Sequence, residues 1–274
     1  MIWINGEFLD DADAVLSWHD PGFVSGATVV DNCRTWGDLL FRWNDHIERF
    51  VSDCEACCID LPIDVLNLEV TLGTVANRLC GDQLNQHVIT FATPNTMGMM
   101  TKPVNVHRNE RLYRDGARLT VVGHFLADST SIVPPNVKHR SRLHWHIADT
   151  KARRRDRHAM AILLDRPDGT LTETAIGNVL AVIDSRIHIP PRAKVLDGIG
   201  LRVTLEFCEE FCWEIVERDI SVHALAEASE VILTGSGFGI CGVASLDDLE
   251  WPTQGPMTRR LMQAWSSAVD IELK

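Results

Sequence analysis

Asn136-Val137-Lys138-His139-Arg140-Ser141-Arg142-Leu143 is the stretch from which the rest of the chain can be read. The sequence holds five lysines, and Lys138 is the one with two arginines close by and no carboxylate among its sequence neighbours. Pro134-Pro135 resists helix upstream, and Ser141 can serve as N-cap of a helix running through about Arg155. Cations crowded around an amine at the mouth of a helix disfavour its ammonium form and should lower its pKa. A neutral amine is what Schiff-base chemistry with a carbonyl needs. An exposed loop lysine fits the same residues, so the surrounding chain has to decide.

Composition narrows the field. A chain of 274 residues has room for one or two domains of ordinary size. A net charge of -12 argues against a nucleic-acid backbone as the main partner. Arg153-Arg154-Arg155 and Arg157 form a basic run that suits the C-terminal end of a helix. No apolar run approaches the roughly 18 residues of a membrane span, and Met1-Ile-Trp-Ile-Asn-Gly-Glu7 does not read as a signal peptide. Eight cysteines without an export signal read as reduced thiols, which gives a cytoplasmic expectation. Cys54-Glu-Ala-Cys57 has no second pair to complete a zinc site, so no metal is expected.

Working outward, Ile2 and Ile4 lead into Asn5-Gly6, a strong hairpin signal. A strand is expected at Ala27–Arg34, a turn at Trp36-Gly37-Asp38 and a return at Leu39–Arg42. A helix capped by Asn44 or Asp45 follows, then a second from about Ile63 to Leu79, then a strand at His87–Ala92. These segments describe a small α+β domain over 1–113, and the polar run His107–Asp115 reads as a linker. The larger domain, 114–274, would open with a strand at Ala117–Phe125. After the lysine-bearing stretch and its helix come strands at Met160–Asp165, Leu171–Thr174 and Asn178–Ile183, with a turn at Pro167-Asp168-Gly169. A helix over Leu201–Cys212, strands near Glu214–Glu217, Val231–Thr234 and Ile240–Ala244, and a helix after Gly255-Pro256 complete the reading.

Three features besides Lys138 fit one kind of chemistry. Gly198-Ile199-Gly200 opens a helix, whose N–H groups and dipole favour a phosphate. Thr234-Gly235-Ser236-Gly237 follows an apolar strand and offers hydroxyls and close backbone approach. Glu173 stands in a strand just past a turn, where a solvent-facing carboxylate would look the same.

The order of these features resembles the class IV aminotransferase family, the fold-type-IV pyridoxal-phosphate enzymes that include branched-chain and D-amino-acid aminotransferases and aminodeoxychorismate lyase. His46-Ile-Glu-Arg49 matches the family's His-x-x-Arg, and Lys138 falls at its Schiff-base lysine. Asp165…Gly169…Glu173…Asn178 is similar to its Asp-x-x-Gly-x-x-x-Glu-x(4)-Asn, with one residue more between Asp165 and Gly169, Leu196-x-Gly198-Ile199 matches its phosphate-binding turn, and Glu230–Ser236 its second phosphate loop. The resemblance implies a two-domain α+β fold, with a small N-terminal domain and a larger one built on a β-barrel-like sheet core with flanking helices. It implies pyridoxal 5'-phosphate, a homodimer, and amino-acid and keto-acid substrates. Lys138 and Glu173 would be catalytic, Glu173 by pairing with the pyridine nitrogen. Arg49, Ile199, Gly200, Ser236 and Gly237 would hold the phosphate, and Leu196 would pack on the ring.

Departures bear on the reaction. Gly200 stands where the family usually has threonine, Val30 where many relatives have an aromatic residue, and Leu143 where branched-chain enzymes have tyrosine. Thr90–Asn95 lacks the Arg-x-His by which D-amino-acid enzymes hold a carboxylate. Val30, His139, Arg142, Leu143 and Phe238 are the candidate substrate residues. Lys138-His139-x-x-Arg142-Leu143 is nearer to the aminodeoxychorismate lyases. The leading expectation is amino transfer between a small amino acid and a 2-keto acid. A lyase releasing pyruvate, and a cofactor-binding protein without turnover, are the alternatives.

Overall fold

The computed structural model describes residues 1–62, 65–125, 132–165 and 169–273. It divides into two compact units, Met1–Val104 with Val137–Arg142, and Asn105–Asn136 with Leu143–Lys274. Pro167 and Asp168 of the expected turn, and Ile63 at the expected start of the second helix, lie outside the described residues.

The first unit begins with β1 (Ile2–Ile4) and β2 (Glu7–Leu9), joined by Asn5 and Gly6, both at positive φ as a two-residue hairpin turn requires. A short helix α1 (Pro21–Val24) precedes β3 (Val29–Trp36) and β4 (Leu39–Leu40). Helix α2 (Trp43–Ala56) is not capped by Asn44 or Asp45: Arg42 occupies the N-cap in a left-handed conformation, and Asp45 pairs with its guanidinium. Helix α3 (Val65–Cys80), β5 (Gln86–Ala92) and β6 (Met97–Pro103) complete the unit. The strands lie in the order β2-β1-β6-β5-β3-β4. The core joins Val29, Cys33, Val88, Met97 and Met99 of the sheet to Ile47 and Phe50 of α2 and Leu68 and Leu72 of α3.

The second unit opens where a linker was expected. His107–Asp115 lies in helix α4 (Val106–Asp115), whose N-terminal N–H at Arg108 is taken by the Asn105 side chain and whose end is marked by Gly116 at φ 75°. Next come β7 (Ala117–Phe125), α5 (Leu143–Arg155), β8 (Met160–Asp165), β9 (Leu171–Thr174), β10 (Asn178–Ile183) and β11 (Arg186–Ile189). Helix α6 (Ile199–Glu210), β12 (Ile215–Glu217), β13 (Glu230–Gly235), β14 (Gly239–Leu246), β15 (Leu249–Glu250) and α7 (Pro256–Val269) follow. Strands β10, β13, β14, β7, β8 and β9 pair in that order, and β9 returns to β10 through Glu173 opposite Asn178. The ring is therefore closed, which gives the barrel-like core that the resemblance implied.

Glu230, on β13, is buried at 3% exposure and caps α7 from outside. Its carboxylate accepts the Met257 N–H (3.0 Å), the Thr258 N–H (2.8 Å) and the Thr258 hydroxyl (2.6 Å). Gly255 leaves it room, since a Cβ there would stand 2.1 Å from the Glu230 carboxyl carbon. Glu230→Ala is expected to cost about 2 kcal/mol of stability, because it strands buried helix N–H groups. Urea unfolding measures this, and an unchanged midpoint would mean that α7 does not depend on this cap.

Candidate active site

Helix α2 carries two buried stripes, each with the three- and four-residue spacing that keeps side chains on one face. Ile47, Phe50 and Cys54 join the apolar core, while His46, Arg49 and Asp53 run beside them and are buried too. Buried polar groups need partners. On β3, Val29 and Cys33 face this core, and the alternation of a strand puts Asp31 on the same face. Arg49 donates to Asp31 Oδ2 through Nε (3.0 Å) and Nη2 (2.6 Å). His46 Nδ1 lies 2.5 Å from Oδ1.

Burial works to raise the Asp31 carboxyl, but the Arg49 charge and the hydrogen bond from His46 hold it well below the usual carboxylate range. Burial lowers the His46 imidazole although Asp31 pulls the other way. A neutral ring donating from Nδ1 to an ionised Asp31 satisfies both groups.

Lys138 reaches this cluster from Val137–Arg142, which lies antiparallel against the start of β3. The Val30 N–H donates to the Lys138 carbonyl (3.0 Å) and the Arg140 N–H to the Thr28 carbonyl (2.8 Å), with His139 paired to Val29. The Lys138 N–H donates to Asp53 Oδ2 at 3.0 Å. Two expectations are corrected here. Ser141 does not cap α5: its hydroxyl donates to the Gly26 carbonyl (2.7 Å), and the helix starts at Leu143. Nor is Lys138 surrounded by cations alone, because Asp31 and Asp53 both feel its charge. The sequence could not show this, since both carboxylates are distant along the chain. Val30 is buried, His139 and Arg142 are half-buried, and Leu143, already in the second unit, is 70% exposed.

In the second unit Glu173 stands at the seam of the strand ring. Its Oε2 accepts Asn178 Nδ2 (3.2 Å) and the Leu196 N–H (3.1 Å), and Asn178 Nδ2 also donates to the Leu196 carbonyl (3.0 Å). Glu173, Asn178 and Leu196 are thus locked together. Gly198 follows tightly: a Cβ there would fall 2.2 Å from Asn178 Oδ1.

Helix α6 begins at Ile199 with no side-chain cap, and Gly198, Ile199, Gly200 and Leu201 are buried. The first N–H groups of a helix have no partner within it, so this buried end suits an anion. Gly200 cannot carry a side chain, because its Cβ would lie 2.6–2.8 Å from the Gly235 backbone. The Gly200 carbonyl accepts the hydroxyls of Thr204 (2.7 Å) and Thr234 (3.0 Å), which draws α6 onto β13. After β13 the turn Ser236-Gly237-Phe238 is braced by α4: Asn109 Nδ2 donates to the Gly237 carbonyl (3.1 Å) and the Tyr113 hydroxyl to the Phe238 carbonyl. Phe238 is buried, with Gly177 and Gly235 leaving room for its ring. The donor set fits a phosphate, and the locked carboxylate fits a ring nitrogen that carries a proton.

Sequence reasoning passed over Asp31, Asp53, Asn109 and the part played by Tyr113. Asn105 and Gly116, a cap and a stop on either side of the 10 residues of α4, were the legible signal for the last two.

The model of a family described as amino-transferase class IV matches residues 28–246. The putative branched-chain-amino-acid aminotransferase of Methanocaldococcus jannaschii is 26% identical over 287 residues, covering 100% of this chain and 96% of that protein. The D-alanine aminotransferase of Staphylococcus haemolyticus is 24% identical, covering 98% of each. In structure, the branched-chain amino acid aminotransferase of Escherichia coli aligns with a TM-score of 0.87 at 20% identity, over 97% of this chain and 93% of that one.

The buried ion pair yields a prediction. Asp31→Asn removes the carboxylate facing Arg49, and breaking a buried pair from one side costs about 3–5 kcal/mol. The folded pKa of Asp31 is depressed, so its stabilisation is present above the unfolded value near about 4 and is lost as pH falls below it. Urea unfolding at pH 7 should show the loss, and the gap between variant and parent should shrink towards pH 3. A gap independent of pH would mean that the charge of Asp31 is not what stabilises the fold.

Proposed function

The chain belongs to the class IV aminotransferases, enzymes dependent on pyridoxal phosphate, and from that premise we propose that it moves an amino group between a small amino acid and a 2-keto acid, with Lys138 as the amine that binds the cofactor. The observation that carries the assignment is the seating of Lys138 by backbone hydrogen bonds against β3 and α2, over the buried Asp31, His46 and Arg49. Other described lysines are placed otherwise: Lys194 is bonded to Asp165 and Asp219 at 2.8 Å each, and Lys102 and Lys151 are exposed.

Pyridoxal phosphate, when bound, supplies the electron sink that lets a proton leave substrate Cα. Lys138 Nζ takes and returns that proton. Glu173, held by Asn178 and the Leu196 N–H, accepts the proton-bearing ring nitrogen. As the resemblance implies, the N–H groups of Ile199 and Gly200, the Ser236 hydroxyl and the Gly237 turn would hold the phosphate, Arg49 would be the cation assigned to it, and Leu196 would pack on the ring. A guanidinium binds a carboxylate with two parallel hydrogen bonds, so Arg142 or Arg140, near Lys138 in sequence, would orient the substrate, and Val30, His139, Leu143 and Phe238 stay candidate substrate residues. We assign the working form to a homodimer in the cytoplasm.

The relatives named above are called branched-chain and D-alanine aminotransferases, so both donor types belong in the test. Those names do not favour the lyase alternative, and membership of an enzyme family sets aside a binding protein without turnover. Purified enzyme mixed with branched-chain L-amino acids and with D-alanine should pass to the amine form of the cofactor with one of them, and a keto acid should reverse the change. Pyruvate release from aminodeoxychorismate, with no amine form from any donor, would overturn amino transfer. Glu173→Gln should keep the cofactor yet slow Cα proton transfer on the order of a hundredfold, because a neutral amide does not stabilise a charged ring nitrogen. Stopped-flow spectroscopy of the half-reaction measures this, and a near-parental rate would remove Glu173 from the role.

A further inference from the structure

Asp53 is the third residue of the polar stripe on α2, one turn beyond Arg49. It is 5% exposed, and its carboxylate receives the backbone N–H of Lys138. An amide or hydroxyl would satisfy one N–H at lower cost, because burying a charge is expensive. The cost is visible in the group itself. Burial pushes the Asp53 carboxyl up to about 6, against the Lys138 N–H and the Arg49 charge, which favour ionisation. Since its folded pKa is raised, ionising Asp53 weakens the fold as pH rises from the unfolded value near about 4 through 6. Stability alone therefore does not account for a carboxylate here. Resting on the assignment of Lys138 as the reacting amine, we propose that Asp53 is a positioning residue, whose ionised carboxylate ties the Lys138 backbone to α2 and so sets where Nζ stands for proton transfer.

The geometry limits what else could do this. The Lys138 carbonyl is held by Val30 on β3 and its N–H by Asp53 on α2. The two bonds fix the peptide groups on either side of the Lys138 Cα, from which the long side chain departs. Loosening one lets the residue turn about the other. The charged and titratable groups facing Asp53 are Arg49 and Cys54 from α2, Cys57 at its C-cap, Asp31 from β3, and Lys138 itself. Arg49 and Asp31 act on Asp53 with opposite signs, and both thiols are raised by burial, so neither cysteine ionises near pH 6. Two histidines could imitate the signal: His139, next along the chain, lowered by burial and by Arg142, and His46 on α2, lowered by burial and also in the field of Lys138, so the step is assigned by its loss in the Asp53 variant.

The test begins on the cofactor-free protein. Labelling with 15N-lysine gives five backbone amide signals, one per lysine, and Lys138→Ala identifies the one that matters. The Lys138 amide proton should shift with a single midpoint near pH 6, keep that step in His139→Gln and lose it in Asp53→Asn. In the cofactor-loaded enzyme, Asp53→Asn should slow Cα proton transfer roughly ten- to a hundredfold, as expected for misplacing a reacting group by about 1 Å. KM should stay within about twofold, the acid limb of the kcat profile should flatten, and Tm at pH 8 should not fall. If Asp53→Asn does not fold, Asp53→Ser takes its place. A Lys138 amide with no step, a step that survives in the Asp53 variant, or an amide effect with kcat unchanged would each overturn the proposal. Failure of the parent to take up the cofactor would instead strike the assignment of Lys138 and leave the amide titration as it is.

Discussion

A carboxylate facing an apolar core organises the lysine-bearing unit. Asp31 stands on the core face of β3 between Val29 and Cys33, where an unpaired charge would be untenable. Its two oxygens settle the matter by taking Arg49 on one side and His46 on the other. The pair dictates which face α2 turns to the sheet. Once that face is set, Asp53 follows one turn on, in reach of the Lys138 amide. The position of the Lys138 backbone is thus inherited from a buried ion pair.

The second unit solves a different problem, that of gathering donors without side chains. Gly198 and Gly200 have no room for a Cβ, and the carbonyl of Gly200 is gripped by Thr204 and Thr234. What the buried start of α6 offers is backbone N–H rather than side chains. The threonine that the family usually has at position 200 would meet the Gly235 backbone, so the missing hydroxyl is a consequence of how closely α6 and β13 approach. Ser236 is the hydroxyl left nearby in sequence, on a turn that α4 steadies from below.

Much of this was legible because local chemistry and final structure agree. Asn5-Gly6, the apolar strands at Met160–Asp165 and Asn178–Ile183, and the Gly-rich start of α6 read correctly for the physical reasons that make them what they are. Strand β6 was missed because Met97-Gly98-Met99-Met100 has little intrinsic strand preference; its pairing between β1 and β5 makes it a strand. Gly98 there is required by the Phe91 ring, 2.6 Å from where its Cβ would lie. Strand β11 was missed because its turn, Asp184-Ser185, lacks the glycine that usually announces a hairpin, although both residues adopt positive φ. The polar helix α4 was mistaken for a linker, since a helix with few apolar residues hides its buried face of Asn109, Leu112 and Tyr113. Asp31 and Asp53 were invisible as Lys138 partners because that relation exists only after the chain returns more than eighty residues later.

The central claim is that the cofactor is held by Lys138 and by no other lysine. Borohydride reduction of the cofactor-loaded enzyme makes that bond permanent, and peptide mapping by mass spectrometry then locates it. The account predicts a single modified peptide carrying the added mass on Lys138. Modification of Lys102, Lys151, Lys194 or Lys274 with Lys138 unmodified would contradict it.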